Sequence, residues 1–182
     1  MATTAQITTA EQLLQAPDLG PCELLRGELV MGTPAGYAQG SIAARITRAL
    51  GNFVETTRLG DVLGAEPGFH IARDPDTVRA PDVAFVRSER VPHEKPQGFF
   101  EGAPDLAVEV LSPNDRASEV NAKVQDWLDA GCRMVWVVDP QTKTVSVYRS
   151  RTEIMVLGAS DTLPGGDVLP GFSLPLVEIF AR

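Results

Sequence analysis

The unbroken apolar run Met134-Val-Trp-Val-Val138 constrains the fold most strongly, because β-branched and aromatic side chains in succession suit a strand covered on both faces. Such a strand demands a sheet with a layer on each side. Asp139-Pro-Gln-Thr-Lys143 then turns the chain into Val145 to Arg149, a hairpin partner. A first covering layer is legible upstream: from Gln39 to Thr57 the residues Ile42, Ile46, Leu50, Phe53 and Val54 recur at helical spacing, with Arg45, Arg48 and Glu55 off the stripe. A second helix is predicted from Asp115 or Ser118 to Ala130, with Val120, Val124, Trp127 and Leu128 as its buried stripe and Gly131 as its stop.

The remaining elements are shorter. Thr8 to Gln15 reads as a helix capped by Thr8 or Thr9, and Cys22 to Met31 as a hairpin turning at Arg26-Gly27. Strand-like runs follow at Asp61 to Ile71, Val78 to Val86 and Asp105 to Leu111. Val91 to Gly102 carries Pro92, Pro96 and Gly98, so it reads as a surface loop or flap of the kind that borders active sites. Ile154 to Phe180 suggests short strands and loops closing a sheet edge. With no repeat, low-complexity tract or linker, one domain over residues 1–182 is expected, an α/β (α+β) fold with helices against a mixed sheet.

Composition narrows the partners. The 182 residues are 43% hydrophobic and 22% charged, and no run approaches the roughly 18 apolar residues of a membrane span. Met1-Ala-Thr-Thr-Ala-Gln lacks a basic segment followed by an apolar one, so the expectation is a cytoplasmic protein with no membrane partner. Cys22 and Cys132 read as structural free thiols. A net charge of -8 provides no overall positive field to attract a polyanion. Affinity for phosphates would have to be local, and a site that holds divalent metal is itself acidic until the ions arrive.

The chemistry-bearing residues lie in three places. Pro81-Asp82-Val83 reads as lying inside one strand and Asp105-Leu-Ala-Val-Glu109-Val-Leu111 as the next, so Asp105, Ala107, Glu109 and Leu111 share a face. Glu109 then sits on an otherwise apolar face, at a cost of several kcal/mol unless a partner or metal meets it. As isolated residues, both acids read equally as solvated strand-end groups or members of an ion pair. Lys123 lies on the flank of the following helix, placed to reach back over the sheet, although a helical lysine alone is ordinarily a snorkelling surface group. His70 reads as a packed histidine and His93 as an exposed one; there is no phosphate-binding glycine loop and no serine nucleophile elbow.

Pro81-Asp82, then Glu109-Val110-Leu111-Ser112-Pro113, then a helix with Lys123, then Gly131 and Trp136-Val-Val-Asp139-Pro140, resembles the Uma-type endonucleases of the PD-(D/E)XK superfamily. The likeness extends to Glu23-Leu-Leu-Arg-Gly-Glu28-Leu and Leu169-Pro-Gly-Phe-Ser-Leu174, nearly the whole chain. The resemblance implies a restriction-endonuclease-like mixed sheet flanked by helices, and an endonuclease acting on nucleic acid, DNA in preference to RNA. It implies Mg²⁺ as cofactor, with Mn²⁺ able to substitute, held by Asp82, Glu109 and the backbone carbonyl of Val110. Lys123 matches the lysine that orients or deprotonates the attacking water; Glu28 matches a further catalytic acid, with Glu23 the runner-up. The superfamily pattern puts the lysine two positions after the second acid, where this chain has Leu111, and Gln39 stands where related proteins often carry a histidine. The alternative is a nuclease fold that binds nucleic acid or a protein without cutting it, and a third class is a hydrolase using two carboxylates as acid and base. A homodimer is expected from the apolar Trp136 and the segment Leu169 to Phe180.

Overall fold

The computed structural model describes residues 6–94 and 96–181. Helix α1 (Ala10–Gln15) opens on a capping box in which Thr9 and Gln12 satisfy each other's backbone N–H groups. Strands β1 (Cys22–Leu25) and β2 (Glu28–Met31) pair through a tight turn, where Arg26 and Gly27 take φ of 51° and 77°. Helix α2 (Tyr37–Thr57) begins two residues before the expected Gln39. After it come β3 (Gly60–Gly64), β4 (Phe69–Ala72), β5 (Thr77–Arg79), β6 (Val83–Arg87), β7 (Phe100–Glu101) and β8 (Leu106–Val110). Helix α3 (Ala117–Asp129), β9 (Met134–Asp139), β10 (Thr144–Tyr148), β11 (Ile154–Leu157), β12 (Thr162–Pro164), β13 (Ser173–Pro175) and α4 (Leu176–Phe180) complete the order.

The main sheet runs β11-β10-β9-β8-β6-β3, with β8 and β9 parallel and the other pairs antiparallel. A parallel neighbour requires a crossover, and α3 is that crossover. On one face Ile42, Ile46, Leu50 and Val54 of α2 meet Val83, Phe85, Val108 and Trp136. On the other, Val124 and Trp127 of α3 meet Ala84, Ala107, Val135 and Val137. Strand β9 is therefore covered on both sides, as its apolar run requires. A second sheet, β2-β1-β5-β4-β7, adds a layer beside α3 through Phe69, whose ring meets that of Trp127 edge-on at 6.0 Å. The arrangement is mixed α+β, as expected, and no helix among the described residues is long and apolar enough to cross a membrane.

Two sequence expectations change. Asp61 to Ile71 is not one strand: β3 joins the main sheet and β4 the second, and between them Ala65 and Glu66 take left-handed backbone angles that end a strand. Val78 to Val86 is likewise divided, so Pro81 and Asp82 lie in the break between β5 and β6 rather than inside a strand. Proline has no N–H to give a ladder, and there the chain passes between sheets. Of the residues that motivate a homodimer, Trp136 and Leu169 are fully buried and Trp136 stacks on Phe172, whereas Val177 is exposed. The thiols Cys22 and Cys132 are free, as expected.

Ile46 is fully buried where α2 crosses the main sheet. Ile46→Ala is expected to cost about 2–5 kcal/mol in urea unfolding. A change below about 1 kcal/mol would show that α2 is not part of the cooperative core.

Candidate active site

Glu109 faces α3 from β8 and is only 6% exposed. Lys123 Nζ donates to its Oε2 and Trp127 Nε1 to its Oε1, each at 2.8 Å. Lys123 and Trp127 are one helical turn apart, so one face of α3 supplies both donors. Burial pushes the Glu109 carboxyl up, against the pull of Lys123 and Trp127. Both oxygens accept from α3, an arrangement that a carboxylate, an acceptor at each oxygen, satisfies without turning an O–H towards a donor. Burial works against the Lys123 ammonium too, but Glu109 and Glu23 outweigh it and hold the amine above its usual range. The Lys123 side chain is still 27% exposed, which leaves it a path to the cleft.

Behind this pair runs a chain of alternating charges. Lys123 Nζ is 3.6 Å from Glu23 Oε1, which also accepts from the Ala80 N–H at 2.9 Å. Glu23 Oε2 accepts from Arg79 Nη1 at 2.7 Å, and Arg79 Nη2 and Nε donate to Asp126 Oδ2 at 2.5 and 3.2 Å. Arg26 closes the chain on Asp126 Oδ1 at 3.0 Å. Arg79 is buried, so its guanidinium depends on these two carboxylates for compensation.

Asp82 sits at the break between the sheets. Its Oδ2 accepts from the Val110 N–H at 2.7 Å, whereas among the described residues its Oδ1 has only Gln39 Nε2, at 3.5 Å. Burial, and then the Glu109 charge, raise the Asp82 carboxyl to about 6. Asp82, Glu109, Val110, Glu23 and Lys123 line one cleft of about 530 Å³, and Glu66, Asp115 and Glu119 add to its acidic lining. Among the described residues no three His, Cys, Asp or Glu side chains form a ready metal cluster. The cleft presents two neighbouring carboxylates, of Asp82 and Glu109, beside the Val110 backbone.

Of the residues singled out in the sequence, Asp82, Glu109, Val110 and Lys123 are thus brought together. Glu28 is not: it lies diagonally from Glu23 towards the hairpin turn, is exposed, and is absent from the cleft lining. Glu23, the runner-up, is the acid that reaches Lys123. The described residues of Val91 to Gly102 do not line the cleft: Phe100 N–H and Gly102 N–H bind the carbonyls of Gly68 and His70 along the edge of the second sheet. His70 is packed as expected, between Asp76 and Glu101 at 3.3 Å each, and His93 is exposed. Sequence reasoning missed the roles of Trp127, Arg79 and Asp126. A buried indole N–H needs an acceptor, and Trp127 follows Lys123 by four residues; that spacing was the available signal.

A family model described as "Uma2: Putative restriction endonuclease" matches residues 10–177. Among solved structures, one described as a putative nuclease belonging to DUF820, from Anabaena variabilis, superposes with a TM-score of 0.83. It is 23% identical, and the match covers 94% of this chain and 97% of that one. No curated protein matches.

The Asp82 carboxyl is near its ordinary value in the unfolded chain and raised to about 6 in the fold, so the folded state binds the proton more tightly. Without divalent ions, stability from this group is present below about pH 4 and lost as pH rises to about 6, by about 3 kcal/mol at most. In chelator, Asp82→Asn is expected to gain on the wild type in urea midpoint between pH 4.5 and 7.5. A difference that stays flat across that range would contradict the ionised, crowded Asp82. Trp127→Phe, which strips a donor from buried Glu109, is expected to cost about 1–3 kcal/mol more than Trp136→Phe, whose indole N–H has no partner among the described residues. Equal costs in the same unfolding assay would deny Trp127 a role in holding Glu109.

Proposed function

The chain therefore belongs to the Uma2 family, and from that premise we propose that it is a metal-dependent endonuclease that hydrolyses phosphodiester bonds in DNA. One observation carries the reading: the open oxygen of Asp82 faces a cleft in which Glu109 crowds it and a charged Lys123 stands alongside.

The donor set fits a hard divalent cation. Around the buried network, the carboxylates of Glu23, Asp82, Glu109 and Asp126 outnumber the cations Arg79 and Lys123. Asp82 and Glu109 offer oxygens, and Val110 directs its N–H to Asp82, so in an extended strand its carbonyl points to the same side. Mg²⁺ is held through one or two carboxylates with retained waters and substrate phosphate, so these residues suffice; Mn²⁺ takes the same ligands. When bound, the ion supplies charge compensation on the phosphate and lowers the pKa of a coordinated water.

The chain's own residues do the rest. A protonated lysine has three donors and no acceptor; Glu109 and Glu23 face two of them, and the third is available to a water or phosphate oxygen. Lys123 is held charged, so it orients water and offsets phosphate charge as a donor and does not act as a base. Glu23 takes the place expected for Glu28, fixing the ammonium from behind. Gln39, within reach of Asp82, adds an amide donor at the mouth of the cleft.

Plasmid DNA is expected to be nicked or cut in Mg²⁺ or Mn²⁺ and left intact in chelator. Asp82→Asn and Glu109→Gln are each expected to lower the rate by roughly 10²–10³-fold or more, the scale of losing one charge-stabilising group. Mg²⁺ is expected to raise wild-type stability by about 2.7 kcal/mol at a hundredfold excess over its Kd, and Asp82→Asn to lose that gain. Wild-type protein that neither cleaves nor melts higher with either ion would end this reading.

A further inference from the structure

A second hollow meets the cleft at Asp82. It holds about 590 Å³ between α2 and the turn after β3, and it shares Asp82 and Glu66 with the acidic cleft. Its α2 wall is made of Gly40, Ala43, Ala44 and Thr47, residues that follow one another along one helix face, and Arg48 stands beside them. Gly40 is informative. It stands in the first turn of α2, where its N–H donates to the Gly36 carbonyl at 3.0 Å. A Cβ at Gly40 would meet nothing within 4 Å, so packing does not require glycine there. With no side chain at Gly40, that end of the trough is walled by backbone.

Charge separates the two hollows. The cleft lining carries Glu23, Glu66, Asp82, Glu109, Asp115 and Glu119 against Arg79 and Lys123. A polyanion entering from that side meets a repulsive field. The trough has acids only where it joins the cleft, and exposed Arg48 pairs with no carboxylate among the described residues. The Thr47 hydroxyl already donates to the Ala43 carbonyl at 2.8 Å, so the lining has no free side-chain donor other than Arg48.

We infer that the trough along α2 carries the sugar-phosphate backbone of one nucleic-acid strand to Asp82, with Arg48 as a phosphate contact and without reading bases. This rests on the endonuclease reading and deepens it. Small apolar walls accept any nucleotide, and a single guanidinium positions a phosphate but conveys no sequence. The acidic cleft is then the metal side of the reacting phosphate and the trough its substrate side.

The test is steady-state cleavage and equilibrium binding of a labelled single-stranded oligonucleotide in Mg²⁺ and Mn²⁺. Ala44→Phe, which fills the trough from an exposed position, and Arg48→Glu are each expected to raise KM tenfold or more, with kcat within about threefold and melting unchanged. Arg48→Ala is expected to reduce the slope of log Kd against log salt by about 0.7, one phosphate contact on a single strand. Arg151→Glu, at a distant pair with Asp129, is the control and leaves both constants at wild-type values. Oligonucleotides of unrelated sequence are expected to share one KM. Wild-type KM in both trough variants, loss confined to kcat, or KM values that depend on sequence would overturn the trough while leaving the endonuclease reading. Wild-type protein that cuts plasmid DNA but no oligonucleotide would likewise overturn the trough, whereas protein that cuts neither in Mg²⁺ or Mn²⁺ would overturn the reading beneath it instead.

Discussion

The interaction on which the rest depends is the buried contact of Glu109 with Lys123 and Trp127. An ionised carboxylate on the inner face of a sheet is tolerable only when both oxygens are met: losing Lys123 leaves an uncompensated charge in the core, and losing Trp127 an unsatisfied oxygen. That requirement fixes α3 against β8 in rotation and along its axis, because two donors one turn apart must reach two oxygens of one side chain. Lys123 in turn faces Glu23 on β1, so the same contact ties the second sheet to the first. The residues best placed for chemistry are thus also those that hold the layers in register.

Asp82 gains its character from where the chain changes sheets. Inside a regular strand, the neighbouring strand would pair with its surroundings on both sides. Just before β6 the ladder with β8 has not begun, and the Val110 N–H is free to hold one carboxylate oxygen while the other faces the cleft. Proline immediately before it removes a donor that would otherwise need a partner. The motif therefore reads physically as a strand terminus: a place where pairing ends and an acidic group is exposed to a ligand on one side only.

Much of the architecture was legible in side-chain periodicity. The α2 stripe, the α3 stripe and the Met134 to Val138 run each named their burial correctly, since burial on one face or on two leaves distinct patterns. The alternation that set Glu109 on the α3 side of β8 also held, with Ala107 and Glu109 on one face and Leu106, Val108 and Val110 on the other. Asp61 to Ile71 and Val78 to Val86 misled because β-branched content measures fitness for a sheet and says nothing about which sheet. Periodicity is likewise silent on long-range polar contacts: Arg79 and Asp126 look like ordinary surface charges until the fold brings β5 beside α3. Glu28 and Glu23 share one face of a hairpin, and only the second sheet's position decides that Glu23 is the one near Lys123.

The run of opposite signs from Asp126 through Arg79, Glu23 and Lys123 to Glu109 has a consequence for how such a sequence can drift. Each member is held by the ones on either side, so replacements at neighbouring links are coupled and their energies do not add. Divergence at this locus must proceed by matched exchanges, in which an acid and its base are lost or inverted together. The string of side chains can then be rebuilt with other residues, whereas Asp82, which stands outside it with one oxygen towards the cleft, has no such link with which to trade.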